Sequence, residues 1–593
     1  MNDGRGTDSI AQARRIIGYL RQYRHLILWG ILSLIVTDVL ALIPPWVAKE
    51  AIDALPVLSS PTMLLPYLGA IVVVASAQAV FRFAWRRSLL GVSRRAEYLL
   101  RNDLLSHLQR LDRAFSVRHP VGDLMSRCTN DLTAIQEFIA YFGLLVVDSS
   151  LTIGTCLVLM SIIDPRLTLA ALIPLPFLSV CFFHFGRKVR TKSAQVQDDL
   201  ANLSQVVQET VTGIRMIQAY TLEKVRRRFY CDATDRYIRS NVELAGIRGL
   251  FYALLTFFGG LAVVIVFWIG GLRVINGVLT LGGFVAFTAY LTMLIWPMMS
   301  LGLMVNLLQR GRASLERLDE IFRQEPTVTD PPTPVPLNKP LNEIRFRGVS
   351  FRYPQTDHWV LHEISLHIPA SSRTAITGPV GSGKTTLLEL IPRIYDPVEG
   401  TILLDGHDLR MIALGDLRRS VAMVAQDPFL FSESLSDNMS FGKSQSTPEE
   451  IERVTRLVRL DKDREAFHRG WDTVVGERGV TISGGQRQRT ALARAVMRAP
   501  RILILDDPFA HLDEETESEV MGNLLNSLPD TTIIFTSHRA SSLRRADKIV
   551  VLEEGRISQE GHPGRLIHRE GYFRRICEQQ ALMQELEDLG DKE

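Results

Sequence analysis

The sequence predicts a helical membrane domain followed by an α/β domain with a largely parallel sheet. Three observations predict it. Apolar runs long enough to cross a bilayer crowd into the first 310 residues. A stretch holding six prolines, residues 326–340, closes that region. Beyond it, short β-rich runs alternate with helical ones, the pattern of helices packed on a sheet.

The membrane domain comes first. Six segments of roughly 20 residues each read as spans, at about 26–48, 65–87, 139–163, 167–186, 249–271 and 279–308. Ahead of them the first 25 residues, with Arg14, Arg15, Arg21 and Arg24, are polar and basic rather than a cleavable leader. They are expected to form an amphipathic helix on the inner membrane surface. Two connections, about 88–138 and 187–248, are long and rich in Arg and Lys, whereas the others are short and carry few bases. The positive-inside rule makes the long loops cytoplasmic and puts both termini inside. Their helical periodicity, as in EYLLRNDLLSHLQRL, predicts that they extend the spanning helices into the cytoplasm. Pro44-Pro45 and Pro297 suggest bends in the first and sixth spans.

The expected divisions are an interfacial helix at 1–25, a membrane domain at 26–325, a linker at 326–340, the α/β domain at 341–575 and a charged helical tail at 576–593. The tail carries no functional signal. Hydrophobic residues make up 46% of the chain and charged ones 22%, with mean hydropathy +0.10. A net charge of +3 is too small to argue for nucleic acid, and no such partner is expected. Five cysteines (Cys128, Cys156, Cys181, Cys231, Cys577) are scattered without a C-x-x-C pair, so neither a disulfide framework nor a zinc site is indicated.

Chemistry concentrates in the α/β domain. The run ITGPVGSGKTTLL places Gly378, Pro379, Val380, Gly381, Ser382 and Gly383 between the strand-like RTAIT and a helical segment opening on Lys384, Thr385 and Thr386. This is a P-loop in its required strand–loop–helix context. Glycines let backbone N–H groups turn toward phosphates, and the helix N-terminus adds partial positive charge. Lys384 would reach the outer phosphates, and the Thr385 hydroxyl would ligate Mg²⁺. Downstream, RILILD ends on Asp506, which fits the Mg²⁺-organising carboxylate of P-loop enzymes. A structural aspartate at a strand end is the plain alternative. Asp507 then stands where a water-activating carboxylate would be wanted.

Ahead of these aspartates, TISGGQRQRTALARA holds Ser483, Gly484, Gly485 and Gln486, which resemble the signature of ATP-binding cassette (ABC) proteins. The other cassette motifs follow in order. Tyr353 in VSFRYP resembles the aromatic that stacks on adenine, and Gln426 in VAQDPFLF the Q-loop glutamine, a Mg²⁺ and water contact. Glu477 in VVGERG resembles the exporter loop before the signature, Asp513 in AHLD the D-loop, and His538 in FTSHRAS the switch histidine. With six spans and one cassette, the whole chain resembles exporter half-transporters of the multidrug type. The resemblance implies the six-helix exporter fold, ATP and Mg²⁺ as cofactors, ATP hydrolysis coupled to transport, and a dimer in which each ATP lies between one P-loop and the other signature. It also implies a bacterial inner membrane. Residues 121–131 and 209–223 resemble the family's two intracellular-loop regions, whose short helices would dock on cassettes.

Two departures shape the expectation. The family's usual residue after the strand-end aspartate is Glu; here it is Asp507, a methylene shorter. Misplacement of about 1 Å can cost about 100-fold in rate. The signature, with Ile482 where Leu is common, is otherwise intact. A weakened base beside a sound signature resembles one half of an asymmetric heterodimeric exporter; the alternative is a homodimer in which Asp507 serves. In the D-loop, Ala510-His511 stands where Ser-Ala is usual. Within the spans, Asp38 and Asp148 are the main ionisable groups, candidates for binding a cationic substrate or for helix–helix pairing. Competing functions are a lipid or peptide exporter and an ATP-gated membrane protein that does not pump.

Overall fold

The computed structural model of the chain describes residues 15–56, 60–337, 343–354, 356–443, 445–476 and 482–590. Two compact units part between Gln324 and Glu325, and the segment Arg110–Pro120 belongs with the second although it precedes most of the first.

The first unit is helical. The chain enters through α1 (Arg24–Ala54) and α2 (Leu65–Leu108), passes through the short α3 (Arg113–Arg118) of the second unit, and returns as α4 (Val121–Ile163). It continues through α5 (Pro165–Leu172), α6 (Leu175–Thr212), the short α7 (Ile214–Ala219), α8 (Glu223–Ile275), α9 (Leu281–Met293) and α10 (Ile295–Phe322). Among the described residues four helical runs are long and apolar enough to cross a membrane singly: α1, Pro61–Leu108, α4 and α8. The other two expected spans fall on broken helices. Pro174, lacking an amide hydrogen, parts α5 from α6. Three residues after Leu294, which parts α9 from α10, Pro297 withdraws the donor that the Met293 carbonyl would take. Pro44 and Pro45, in contrast, lie inside α1, which runs on to Ala54. The long polar loops are helical continuations of α2, α4, α6 and α8, as their periodicity predicts.

Apolar side chains such as Val73, Trp268 and Ile275 point outward, 68%, 74% and 82% exposed, which suits a surface wetted by lipid. Inside, polar links join the helices. The Tyr290 hydroxyl donates to the Leu42 carbonyl at 2.8 Å, and the Gly282 amide donates to Asp53 at 2.8 Å. Ser149 and Ser300 share a hydrogen bond of 2.7 Å. Residues 1–14 of the expected interfacial helix lie outside the described residues. Arg15 pairs with Asp319 at 3.5 Å and covers the Phe322 ring, so this segment is fastened to the end of α10.

The second unit carries two sheets. A six-stranded sheet has the order β10 (Arg556–Gly561), β9 (Lys548–Glu553), β3 (Arg373–Thr377), β8 (Thr532–Thr536), β7 (Ile502–Leu505) and β6 (Val421–Val424). All neighbours are parallel except β10 with β9. A four-stranded antiparallel sheet, β2 (Leu361–Ile368), β1 (Ile344–Phe351), β4 (Glu399–Leu404) and β5 (His407–Asp408), stands beside it. Ile502 to Leu505 are fully buried, as a central parallel strand requires. The helices that matter to the site are α11 (Lys384–Leu390), α12 (Gly484–Met497), α13 (Glu514–Ser527) and α14 (Tyr572–Gly590).

The described part of the proline-rich stretch contains no helix. It is pinned to the second unit: the Val335 amide donates to the Met411 carbonyl at 2.8 Å, and the Leu414 amide to Asp330 at 2.6 Å. The expected tail does not begin at 576 as a separate piece. Phe573, Ile576 and Cys577 of α14 are buried in the sheet's core, because the helix repeats apolar residues at positions facing it.

Candidate functional site

Parallel strands end at one edge, and here that edge collects the chemistry. β3 runs into the loop from Gly378 to Gly383, β6 leads to Gln426, β7 delivers Asp506 and Asp507, and β8 delivers His538. A cavity of about 340 Å³ is lined by Val380 to Thr386 together with Tyr353, Gln426, Asp506, Asp507, Thr536 and His538.

The loop's shape depends on glycine at two positions. Gly378 has φ +151°, and a Cβ there would stand 2.0 Å from the Leu552 carbonyl oxygen. Gly383 has φ +97° at the N-cap of α11, and a Cβ would meet Leu361 at 2.8 Å. Lys384 donates to the Gly378 and Pro379 carbonyls at 2.9 and 2.8 Å, so its ammonium lies across the mouth of its own loop. Burial holds the Lys384 pKa below its ordinary value, although Asp506 and Asp507 oppose that.

Asp506 is 3% exposed and tied on both oxygens. It accepts from the Thr385 hydroxyl at 2.7 Å and from the Thr536 hydroxyl at 2.9 Å. Thr536 in turn accepts from the Asp507 amide at 2.7 Å, so one hydroxyl spans both aspartates. Thr536 has no place in the motif reading. Its signal, a polar residue ending the apolar TTIIFT, is common at strand ends.

Asp507 sits at φ +44°, a left-handed backbone that Asp tolerates better than most residues. Burial raises its carboxyl above the usual range, while the nearby His538 works against that. His538 is held below the ordinary imidazole value by burial and by Lys384. The two groups therefore stand close enough to feel each other beside the phosphate loop.

Tyr353 is half-buried, its hydroxyl shares a 2.8 Å hydrogen bond with Thr386, and its ring stands edge-on to Phe351 and Tyr395. Close by, Glu389 of α11 is 3% exposed and takes an ion pair from Arg113 of α3. Burial nevertheless raises the Glu389 carboxyl. Neither residue has a sequence signal, since 276 positions separate them.

The structure does not bring Ser483, Gly484, Gly485, Gln486 or Asp513 into this cavity. Ser483 and Gln486 form a capping box at the start of α12: Ser483 accepts from the Gln486 amide at 3.2 Å, and Gln486 accepts from the Ser483 amide at 3.0 Å. Asp513 caps α13, accepting from the Thr516 amide at 2.8 Å. The two caps adjoin: His511 lies against Gly484, 3.1 Å from where its Cβ would be, and the His511 amide donates to Gln488 at 3.1 Å. His511 therefore packs within its own chain. Glu477 lies outside the described residues.

In the first unit Asp38 of α1 and Asp148 of α4 face each other within hydrogen-bonding reach, with Arg82 of α2 nearby.

Residues 26–298 match the family model described as the ABC transporter transmembrane region, and residues 361–510 match that described as ABC transporter. The chain is 34% identical over 555 residues to a "probable multidrug resistance ABC transporter ATP-binding/permease protein" of Bacillus subtilis, covering 93% of this chain and 95% of that protein. It is 34% identical over 573 residues to the "multidrug resistance-like ATP-binding protein MdlA" of Escherichia coli, covering 96% and 97%.

The chain belongs to the ABC transporter family.

It is a half-transporter, a transmembrane domain fused to one cassette that binds ATP and couples its hydrolysis to transport. In fold it is similar to a bacterial Atm1-family ABC exporter with ATP bound, with a TM-score of 0.78 at 23% identity over 94% of this chain and 99% of that one. The half-transporter is an integral membrane protein and works with a second such half.

Proposed function

We propose that this half-transporter exports drug-like or lipophilic small molecules by alternating access, as one half of a heterodimer with one weakened ATP site. The names of the two relatives support the substrate class. A bacterial inner membrane, with cassette and termini in the cytoplasm, is supported by the Escherichia coli relative and by the basic long loops.

In this reading Gly378 to Thr386 and Tyr353 hold ATP from one side, while Ser483 to Gln486 and Asp513 meet the nucleotide held by the second half. That the latter residues are satisfied in their own caps, yet absent from the phosphate cavity, supports a site completed by another subunit. Mg²⁺ typically binds through one or two carboxylates plus substrate phosphates. Thr385 and Asp506, two hard oxygen donors 2.7 Å apart, suit it, with Gln426 at the cavity lip. The ion would neutralise charge on the phosphates. Asp507 positions water from a shortened side chain, and His538, its pKa held down by burial and by Lys384, hydrogen-bonds the terminal phosphate.

The observation that carries the asymmetry is Asp507 itself, beside an intact signature. Its backbone is left-handed and its amide donates to Thr536, two constraints that oppose a main-chain shift making up the missing methylene. ATP hydrolysis by the purified chain alone, wild type against Asp507→Glu, tests it. A slow wild type raised by Glu supports the heterodimer; brisk wild-type turnover refutes it in favour of the homodimer.

A further inference from the structure

The turn that carries His538 is held by a residue from the far end of the cassette. Gln580 donates from Nε2 to the His538 carbonyl at 2.8 Å, and its Oε1 accepts from the Ala540 amide at 2.7 Å. One side-chain amide thus grips the main chain on both sides of Arg539. An amide is the right group for this, because it donates and accepts at once, whereas a carboxylate accepts only. Gln580 lies on α14, 42 residues downstream of His538, in the tail whose sequence carries no functional signal. Phe573, Ile576 and Cys577 seat that helix in the sheet's core, so the grip comes from a fixed support.

The residue between the two gripped groups is itself locked. Arg539 bonds Glu517 and donates to the Leu512 carbonyl at 3.0 Å. Glu517 is 2% exposed and also takes the Ser542 hydroxyl. Arg539 therefore ties the turn to the loop ending at Asp513, and Gln580 ties it to α14. The imidazole leaves the main chain at the position where both ties converge.

We propose that Gln580 is a positioning residue for His538, and that α14 is through it part of the frame for ATP hydrolysis. The inference rests on the reading of His538 as the group that meets the terminal phosphate. Freed of Gln580, the His538 carbonyl and the Ala540 amide lose their shared partner, and the turn gains freedom where the ring needs a fixed aim. Displacement of a catalytic group by about 1 Å can cost about 100-fold.

The test is steady-state ATP hydrolysis by the full-length chain purified alone in lipid nanodiscs, so that turnover is read at sites that hold His538. The variants are Gln580→Leu, Gln580→Glu, His538→Ala and the double variant Q580L/H538A. We expect Q580L to lower kcat about 10-fold with KM for Mg-ATP changed less than about 2-fold, and Q580E to fall between it and wild type. The melting temperature of the cassette should stay within about 3 °C. In the H538A background Q580L should add no further loss, because it acts through a ring no longer there. A kcat for Q580L within about 2-fold of wild type overturns the inference, as does a loss that tracks melting temperature or KM, or one that persists in full on top of H538A. If H538A itself leaves kcat unchanged, the reading of His538 falls and this inference with it. If H538A is inactive and Q580L is fully active, this inference alone falls.

Discussion

The strand-end edge of the cassette and its signature edge are both built from helix N-termini and short loops, yet they are finished differently. At the strand ends Thr385, Asp506, Thr536 and Asp507 form one hydrogen-bonded chain around the mouth of the P-loop. At the signature edge Ser483 with Gln486, and Asp513 with Thr516, each close on themselves, and none of them lines the cavity. The first edge is aimed at a ligand by its own chain. The second is held rigid and ready, and in the proposed reading its ligand arrives on another subunit. The same residue type, glycine, accordingly does different work at the two edges.

The largest expected effect tests that contrast. Gly378→Ala drives a Cβ into the Leu552 carbonyl and forces alanine to φ +151°, a backbone cost of about 3 kcal/mol before the clash is counted. ATP binding by the isolated chain should be lost, read by equilibrium binding of a fluorescent ATP analogue. Gly484→Ala meets only the side chain of the exposed His511 and should leave that binding intact while abolishing hydrolysis by the assembled dimer. Loss of binding in both variants would break the comparison.

Within the strand-end edge the two aspartates should separate next. Asp506→Asn removes the carboxylate tied to Thr385 and should lower hydrolysis by the chain purified alone by about 100-fold. In the proposed reading Asp507→Asn costs less, because the wild-type base is already weak. Equal losses would mean that Asp507 is a full base.

A smaller effect follows from pH. The folded-state pKa of Asp507 is raised, so its contribution to stability is present below the unfolded value and lost as pH rises through the folded one. Asp507→Asn should therefore melt about 2 °C higher than wild type near a pH of about 7.5, with the gap closing as the pH is lowered. Hydrolysis should fall on the acid side, where Asp507 protonates above the ordinary carboxylate range. The smallest expected effect lies in the membrane unit: Asp38→Asn and Asp148→Asn should lower export of a cationic dye more than that of a neutral one. An equal loss for both dyes leaves these groups as helix pairing alone.

How much of this was legible in the sequence follows from contact distance along the chain. The P-loop, the capping box at Ser483 and the cap at Asp513 are made by residues within a few positions of each other, so their geometry travels with the motif. Strands β1, β3, β4, β6, β7 and β8 were legible as apolar runs. That β1 and β4 join β2 in an antiparallel sheet of their own was not, because pairing is set by partners distant in sequence rather than by any one run. The bridging role of Thr536, the Arg113–Glu389 pair and the grip of Gln580 join residues 29, 276 and 42 positions apart, and nothing local marks them. The membrane spans were legible from composition. Where two of them break was partly legible, since Pro174 and Pro297 stand at or near the breaks, yet Pro44 and Pro45 sit in an unbroken helix, sustained by its packing along α2 and α9.

The ion pair from Arg113 to Glu389 sets a limit on modularity. A cassette cut at Glu325 and grafted onto another membrane domain would keep Glu389 buried in α11 and leave its counter-charge behind. An uncompensated buried carboxylate costs about 3 kcal/mol or takes up a proton. The compact unit that holds the cassette is discontinuous, and a graft that carries residues 110–120 along with everything after 325 keeps this pair. During synthesis that same short segment must wait for a domain that has not yet been made.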